Sequence, residues 1–341
     1  MNLRFQNAIN KIPQVTPPIW MMRQAGRYHG HYQKLRSKYS FMDLCKTPEL
    51  AAQVAFGPVE DFDFDLAILF SDLLFPLEAL GMGLAYTDHG PQLGFSLREE
   101  NIHRLVSVEE ALPHLEFQKE AMSLTREGLS KEKSLIGFVG GPWTLFVYAC
   151  EGSHAGALTY SMVHPHLYQE FSKKMVPLLE KNIRLQFEGG AEVVMVLDTA
   201  CGEVSPSFFK NNLENDLISL AQKFPHRLGY YSKGSNLDFF TSAAWKNSAW
   251  GGQGYDHRIS LQRVLSLKDR KGLVQGNFDQ RLLFADTPLF EKYLHEYLSP
   301  IKELSLEERS GWVCGVGHGV LPKTPEENVR KFVETVREVF R

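Results

Sequence analysis

The sequence predicts a (β/α)8 barrel, and three observations carry that expectation. Short apolar runs of strand length alternate with longer stretches of helical period along the chain, the pattern of βαβ units around a parallel sheet. No G-x-G-x-x-G follows the first run and no G-x-x-x-x-G-K-[ST] occurs anywhere, so the phosphate signatures of an open doubly wound sheet are missing. No low-complexity run, Ser/Gly tract or block of like charge interrupts the 341 residues, which makes one domain over 1–341 the simpler organisation.

The expected strands are residues 18–22, 66–70, 135–139, 193–197, 227–231, 248–250, 273–275 and 312–316. The helices between them carry their own punctuation. Thr47-Pro48-Glu49 offers an N-cap, a proline at the first helical position and an acid in the first turn, each of which satisfies or complements the free N–H groups there. Thr287-Pro288 and Thr324-Pro325-Glu326 repeat the device. Gly81 and Gly189-Gly190 follow amphipathic runs, where a chain leaving a helix turns left-handed. Residues 83–97, containing Asp88-His89-Gly90-Pro91, read as a hairpin inserted after the second helix.

Composition narrows the function classes. With 43% hydrophobic and 23% charged residues the chain has the balance of a globular protein. A formal net charge of -3 gives no global field to attract nucleic acid or an anionic membrane, so an acidic ligand must be met by a local cluster. The N-terminus lacks a signal-peptide core, and no stretch approaches ~18 uninterrupted apolar residues; a soluble, cytoplasmic location is expected. Cys45, Cys150, Cys201 and Cys314 form no C-x-x-C pair, which argues against a disulfide framework or a zinc knuckle. Cys314 and His318 have a usable spacing but no partner pair, so no metal site is expected.

In a barrel the residues just past each strand converge on one mouth. Here they are Arg23, Gln24 and Arg27, then Ser71-Asp72, Gly140-Gly141-Pro142-Trp143 and Asp198-Thr199, with Lys233, Asp256, Asn277, Asp279 and His318 on the later strands. Arg23 and Arg27 flank the small residues Ala25 and Gly26, an arrangement suited to binding carboxylates or phosphates bidentately. The alternative is that both arginines pair with nearby acids. Asp72 ends an apolar run and would sit at the rim of the core, where a cationic partner or transition state offsets the cost of its charge; it could also cap the next helix. Tyr148 falls one turn beyond Trp143-Thr144 on an apolar helix, where plain packing is the default. Thr199 could cap or bind. His318 lies between Gly317 and Gly319, and those glycines favour a functional role by letting ligand or backbone come close.

Together these segments resemble the uroporphyrinogen decarboxylase family. Met22-Arg23-Gln24-Ala25-Gly26-Arg27-Tyr28 looks like its N-terminal signature, which residues 41–54 continue, and residues 68–83 resemble the segment with its central aspartate. GGPWT at 140–144, QGNFD at 275–279 and GHG at 317–319 follow in the family's order. The resemblance implies a single distorted (β/α)8 barrel, working as a homodimer without metal or organic cofactor. It implies removal of carboxyl groups from the four acetates of uroporphyrinogen III, giving coproporphyrinogen III. The family's substrate-binding positions fall on Arg23, Gln24, Ala25, Gly26, Arg27, Asp72, Tyr148, Thr199 and His318, with Asp72, Arg23 and Arg27 as the candidate catalytic groups; Lys46 stands where some members have arginine.

Four stretches depart from the family pattern: His29-Gly30, Ser153-His154, Ala200-Cys201 and the segment from Gly254 to His257. They bear on the outer pocket and lid. Two rival readings stand beside the resemblance. A zinc-dependent corrinoid or coenzyme M methyltransferase shares the fold, but its His-x-Cys pair is absent from the chain. A non-catalytic tetrapyrrole-binding barrel is the other.

Overall fold

A computed structural model describes residues 1–87, 90–234 and 237–341. Seven parallel strands form one curled sheet in the order β1 (Leu66–Ile68), β4 (Ser134–Gly140), β5 (Val193–Leu197), β6 (Leu228–Tyr231), β7 (Gly252–Gly254), β8 (Leu273–Phe278) and β9 (Trp312–Val316). Register runs from Leu66 opposite Ser134 to Val316 opposite Phe278. The mixed α/β architecture is that of a (β/α)8 barrel.

The eighth position is where sequence and structure part. Residues 18–22 were expected to be a full strand, yet they make only an isolated bridge between Ile19 and Cys314. Trp20 N–H donates to Cys314 O at 3.0 Å and Cys314 N–H to Pro18 O at 2.9 Å. Pro17 and Pro18 have no N–H to give, so on the β1 side one backbone bond, from Asp65 N–H to Ile19 O at 3.1 Å, is supplemented by side chains. Asp65 Oδ2 accepts Ile19 N–H at 2.8 Å, and Gln24 Nε2 donates to Leu66 O at 2.9 Å.

The sixth strand is displaced as well. It was expected at 248–250 and lies at Gly252–Gly254. A methyl group on Gly252 would fall 2.4 Å from Leu273 Cγ, and one on Gly251 2.3 Å from His226 O. The barrel is so tight here that glycine replaces the apolar run a strand would ordinarily show.

Inside the barrel Trp20, Leu66, Ile136, Val193, Met195 and Leu273 pack together. Helix Leu3–Ile9 closes the N-terminal end with Phe5 and Ala8, its first turn capped by Asn2 Oδ1, which accepts Phe5 N–H at 3.0 Å. With that end sealed by apolar side chains, the polar residues collect at the opposite mouth.

The helix punctuation is partly rewritten. Thr47 precedes helix Pro48–Phe62 without a side-chain cap bond. Helix Thr287–Lys302 is capped by Asp286 rather than Thr287, through Leu289 N–H, because the acid one residue earlier reaches the free N–H. Helix Glu326–Val339 starts after Pro325, and Thr324 instead donates its hydroxyl to Leu321 O. Gly81 and Gly190 do adopt positive φ, 89° and 109°. The inserted hairpin is present as β2 (Ala85–Thr87) paired antiparallel with β3 (Gly90–Gln92); Asp88 and His89 lie outside the described residues.

Candidate active site

Asp72 stands just past β1, half-buried at the C-terminal mouth. Its Oδ1 accepts the Leu74 N–H at 2.8 Å, a turn closed two residues on. The helix that follows, Phe75–Leu77, has Leu74 at its N-cap and no side-chain cap bond, so Asp72 closes a turn ahead of that helix rather than capping it. Burial raises its pKa, while Tyr86, the Leu74 N–H and the Arg23 guanidinium pull it back down. Tyr86 comes from the inserted hairpin, and its hydroxyl is raised by burial and then by the Asp72 charge.

Arg23 is the electrostatic hub of the mouth. Its backbone is left-handed, φ 60°, and its side chain lies over Gly319, where a methyl group would come within 2.4 Å of Arg23 Cδ. Its charge acts on Asp72, Tyr148, His154, Tyr231 and His318. Arg27 is exposed further along the same loop, and its charge acts on Tyr32. Neither guanidinium has a hydrogen bond or ion pair among the described residues. Among the described residues no acid pairs with either arginine.

Helix Pro142–Glu151 is buried nearly all round, and Tyr148 is a half-open position on it. Its hydroxyl lies 2.7 Å from His154 Nδ1. Burial, then the Asp72 charge, raises the Tyr148 hydroxyl. Across the mouth His318 Nδ1 lies 2.9 Å from the Tyr231 hydroxyl, which also donates to Gly317 O at 2.8 Å. Burial lowers the His318 pKa to about 3, assisted by Arg23, Lys233, His154 and His257. The ring is neutral at physiological pH.

Other predicted positions serve the frame. Gln24 is 1% exposed and its side chain is spent on the barrel backbone; Tyr28 donates its hydroxyl to Gln24 O at 2.7 Å. Ala25 and Gly26 are half-buried in the turn between the arginines, and a methyl on Gly26 would sit 3.3 Å from Arg23 O. Lys46 is held by Glu78 at 2.7 Å, so it does not reach freely into the mouth. Thr199 is half-buried at the start of a short helical turn. Its neighbour Asp198 is wholly buried and accepts Thr144 N–H at 2.8 Å, Thr144 hydroxyl at 2.7 Å and Tyr230 hydroxyl at 3.2 Å. That carboxylate docks the start of helix Pro142–Glu151 onto β5, and burial pushes its pKa up to about 6.

Sequence reasoning did not single out Tyr86 or Tyr231, and it met His154 only within a departure from the family pattern. Tyr231 had a signal, being an inward position at the end of a strand candidate; Tyr86 sits on an insertion and had none. Of the four departures, His29-Gly30 is used on the outside of the barrel. His29 meets Asp61 at 2.7 Å and Gly30 N–H meets Glu326 at 2.6 Å. Ser153-His154 reaches the mouth.

Comparison with known proteins decides the family. The model described as Uroporphyrinogen decarboxylase (URO-D) matches residues 1–339. The chain belongs to the uroporphyrinogen decarboxylase family. Among relatives, a protein of Carboxydothermus hydrogenoformans named uroporphyrinogen decarboxylase is 32% identical, covering 99% of this chain and 97% of that one. One of the same name from Syntrophotalea carbinolica is 34% identical over 98% and 97%. Relatives of that name over nearly full length make this chain a carboxy-lyase of the decarboxylase family. Among solved structures, a methyltransferase from Methanosarcina mazei superposes with a TM-score of 0.75 over 99% of this chain and 98% of its own, at 18% identity. That likeness speaks to the barrel alone. No helix among the described residues is long and apolar enough to cross a membrane.

Proposed function

We propose that this chain decarboxylates the acetate side chains of uroporphyrinogen to methyl groups without metal or organic cofactor. The observation that carries the reading is the half-buried Asp72 carboxylate at the mouth under the charge of the Arg23 guanidinium, which has no ion pair among the described residues. Losing carbon dioxide from an acetate on a pyrrole leaves an electron pair that needs a sink. If a pyrrole carbon is protonated first, the ring itself becomes a cation able to accept those electrons, and Asp72 would stabilise that charge through the pyrrole N–H groups. A proton delivered to the resulting exocyclic methylene completes the methyl, and loss of the first proton from the ring carbon restores the pyrrole.

A porphyrinogen is flexible, so its four rings can turn their N–H groups toward one aspartate. Arg23 and Arg27, neither paired among the described residues, would hold acetate or propionate carboxylates, with Arg23, whose charge acts on Asp72, better placed to act on the reacting acetate. Tyr148, Thr199 and His318 would position further carboxylates by hydrogen bonding, and Gln24, Ala25 and Gly26 would shape the loop that presents the arginines. The resemblance adds a cytoplasmic homodimer to this proposal; sedimentation of the purified protein tests the assembly.

Anaerobic incubation with uroporphyrinogen in the presence of a chelator, with products separated by chromatography, tests the reading. Stepwise loss of carboxyl groups is expected. Substrate recovered unchanged, though bound, would replace it with the tetrapyrrole-binding reading, and activity abolished by the chelator would revive zinc-dependent chemistry.

A further inference from the structure

The turn beyond β6 brings a further cation, Lys233, to the mouth. Tyr231 points into the barrel among Trp20, Met195 and Leu197, whereas Tyr230 packs on the outer side with Trp245. Lys233 lies two residues beyond the end of β6, in the turn that follows Tyr231 at the C-terminal mouth, where the Tyr231 hydroxyl contacts His318. Its charge acts on His154 and on His318, which face each other's side of the opening.

The backbone here is fixed rather than loose. Gly234 N–H donates to Asp256 Oδ2 at 2.6 Å, and a methyl group on Gly202 would meet Lys233 O at 1.8 Å. Asp256 itself is not a partner for the lysine, being committed to Arg258 at 2.6 Å and to two backbone N–H groups. Other half-buried lysines have found acceptors: Lys133 meets Asp63 and Phe64 O, and Lys11 meets Arg270 O. Lys233 is half-buried and has no hydrogen bond or ion pair among the described residues. A partly desolvated ammonium without a partner carries a free-energy cost that an anionic ligand would offset.

We propose that Lys233 is a substrate-binding residue that takes a carboxylate of the tetrapyrrole on the β6 side of the mouth, opposite the Arg23 and Arg27 loop. This inference rests on the decarboxylase reading, in which every pyrrole ring carries one acetate and one propionate. Two arginines on one loop address one side of such a macrocycle. The lysine on the far side sets the spacing between clamped carboxylates, and so selects a ligand with acids around its whole rim.

The test compares Lys233→Ala and Lys233→Arg with the parent protein. Both variants should stay folded, with Lys233→Ala melting no lower than the parent, because the side chain makes no hydrogen bond or ion pair among the described residues. In anaerobic steady-state assays, Lys233→Ala should raise KM for uroporphyrinogen about tenfold, as expected for loss of one charge-assisted contact, with kcat changed about twofold or less. Lys233→Arg should restore most of the KM. Equilibrium dialysis of uroporphyrinogen against the Asp72→Asn protein, with and without Lys233→Ala, reads the same contact without turnover. An unchanged KM and unchanged binding in Lys233→Ala overturn the assignment of Lys233. Binding that depends on Lys233 in a parent protein that never decarboxylates supports Lys233 while overturning the decarboxylase reading. No binding by the parent overturns both.

Discussion

The Tyr231 hydroxyl stands between two groups, donating to Gly317 O at 2.8 Å and lying 2.9 Å from His318 Nδ1. A phenol has one proton, and a carbonyl can only accept, so the contact with the imidazole is satisfied when Nδ1 carries the hydrogen. Nε2 is then an acceptor. Nitrogen chemical shifts of labelled His318 should report the neutral Nδ1–H form from pH 5 to 8, consistent with a pKa lowered to about 3. A ring protonated at pH 6 would show that the surrounding cations and burial do not govern it. Tyr231→Phe should release the preference for that tautomer.

The two arginines should separate in behaviour. Arg23 acts on both His154 and His318, lowering each, so Arg23→Gln should let both imidazoles titrate at higher pH while also reducing turnover. Arg27 has no such reach, and Arg27→Ala should mainly raise KM. Histidine titrations followed by NMR, paired with steady-state kinetics, check both. An unchanged KM in Arg27→Ala, or unmoved histidines in Arg23→Gln, counts against this division of labour.

Gly319 tests the position of Arg23 without removing its charge. A methyl group there would press on Arg23 Cδ at 2.4 Å, and the flexible side chain would give way rather than the backbone. Gly319→Ala should therefore remain folded, with little change in melting temperature, and lose activity by about tenfold or more through misplacement of the guanidinium. Full activity would mean that Arg23 works from a different rotamer.

Asp198 should matter for stability and its pH dependence. Asp198→Ala leaves the Thr144 N–H, the Thr144 hydroxyl and the Tyr230 hydroxyl without their acceptor, which should cost about 3 kcal/mol. The folded carboxyl is pushed up to about 6 from 3.8, so between those values the native state holds a proton that the unfolded chain has released. Its contribution to stability therefore falls as pH rises through that window. Denaturant unfolding from pH 4 to 6 should show a flatter profile in Asp198→Asn than in the parent. Identical slopes would show that this carboxyl is not raised.

Much of the fold was legible because parallel barrel strands are apolar on both faces, as Val193–Leu197 and Trp312–Val316 are. Gly252–Gly254 was not, since a strand without side-chain bulk leaves no hydrophobic signal. Residues 18–22 had that signal, but Pro17 and Pro18 deprive them of donors and leave Asp65 and Gln24 to complete the closure. At the mouth, strand-end position was enough to group Arg23 with Asp72 and His318, both of which the structure places within reach of the Arg23 charge. The Tyr148–His154 contact depends on how a loop folds back over a helix, which no periodicity reveals. Gln24 illustrates the converse: its place in the signature is explained largely by a hydrogen bond to Leu66 O.

The negative charge of Asp72 is the centre of the account, and Asp72→Asn isolates it, because the amide keeps the shape and can still accept the Leu74 N–H. Burial raises the carboxyl, so its ionised form costs stability at neutral pH and the variant should melt no lower than the parent. Turnover of uroporphyrinogen should fall about 100-fold or more, with equilibrium binding retained. Near-normal turnover in a folded, substrate-binding Asp72→Asn protein would contradict the account.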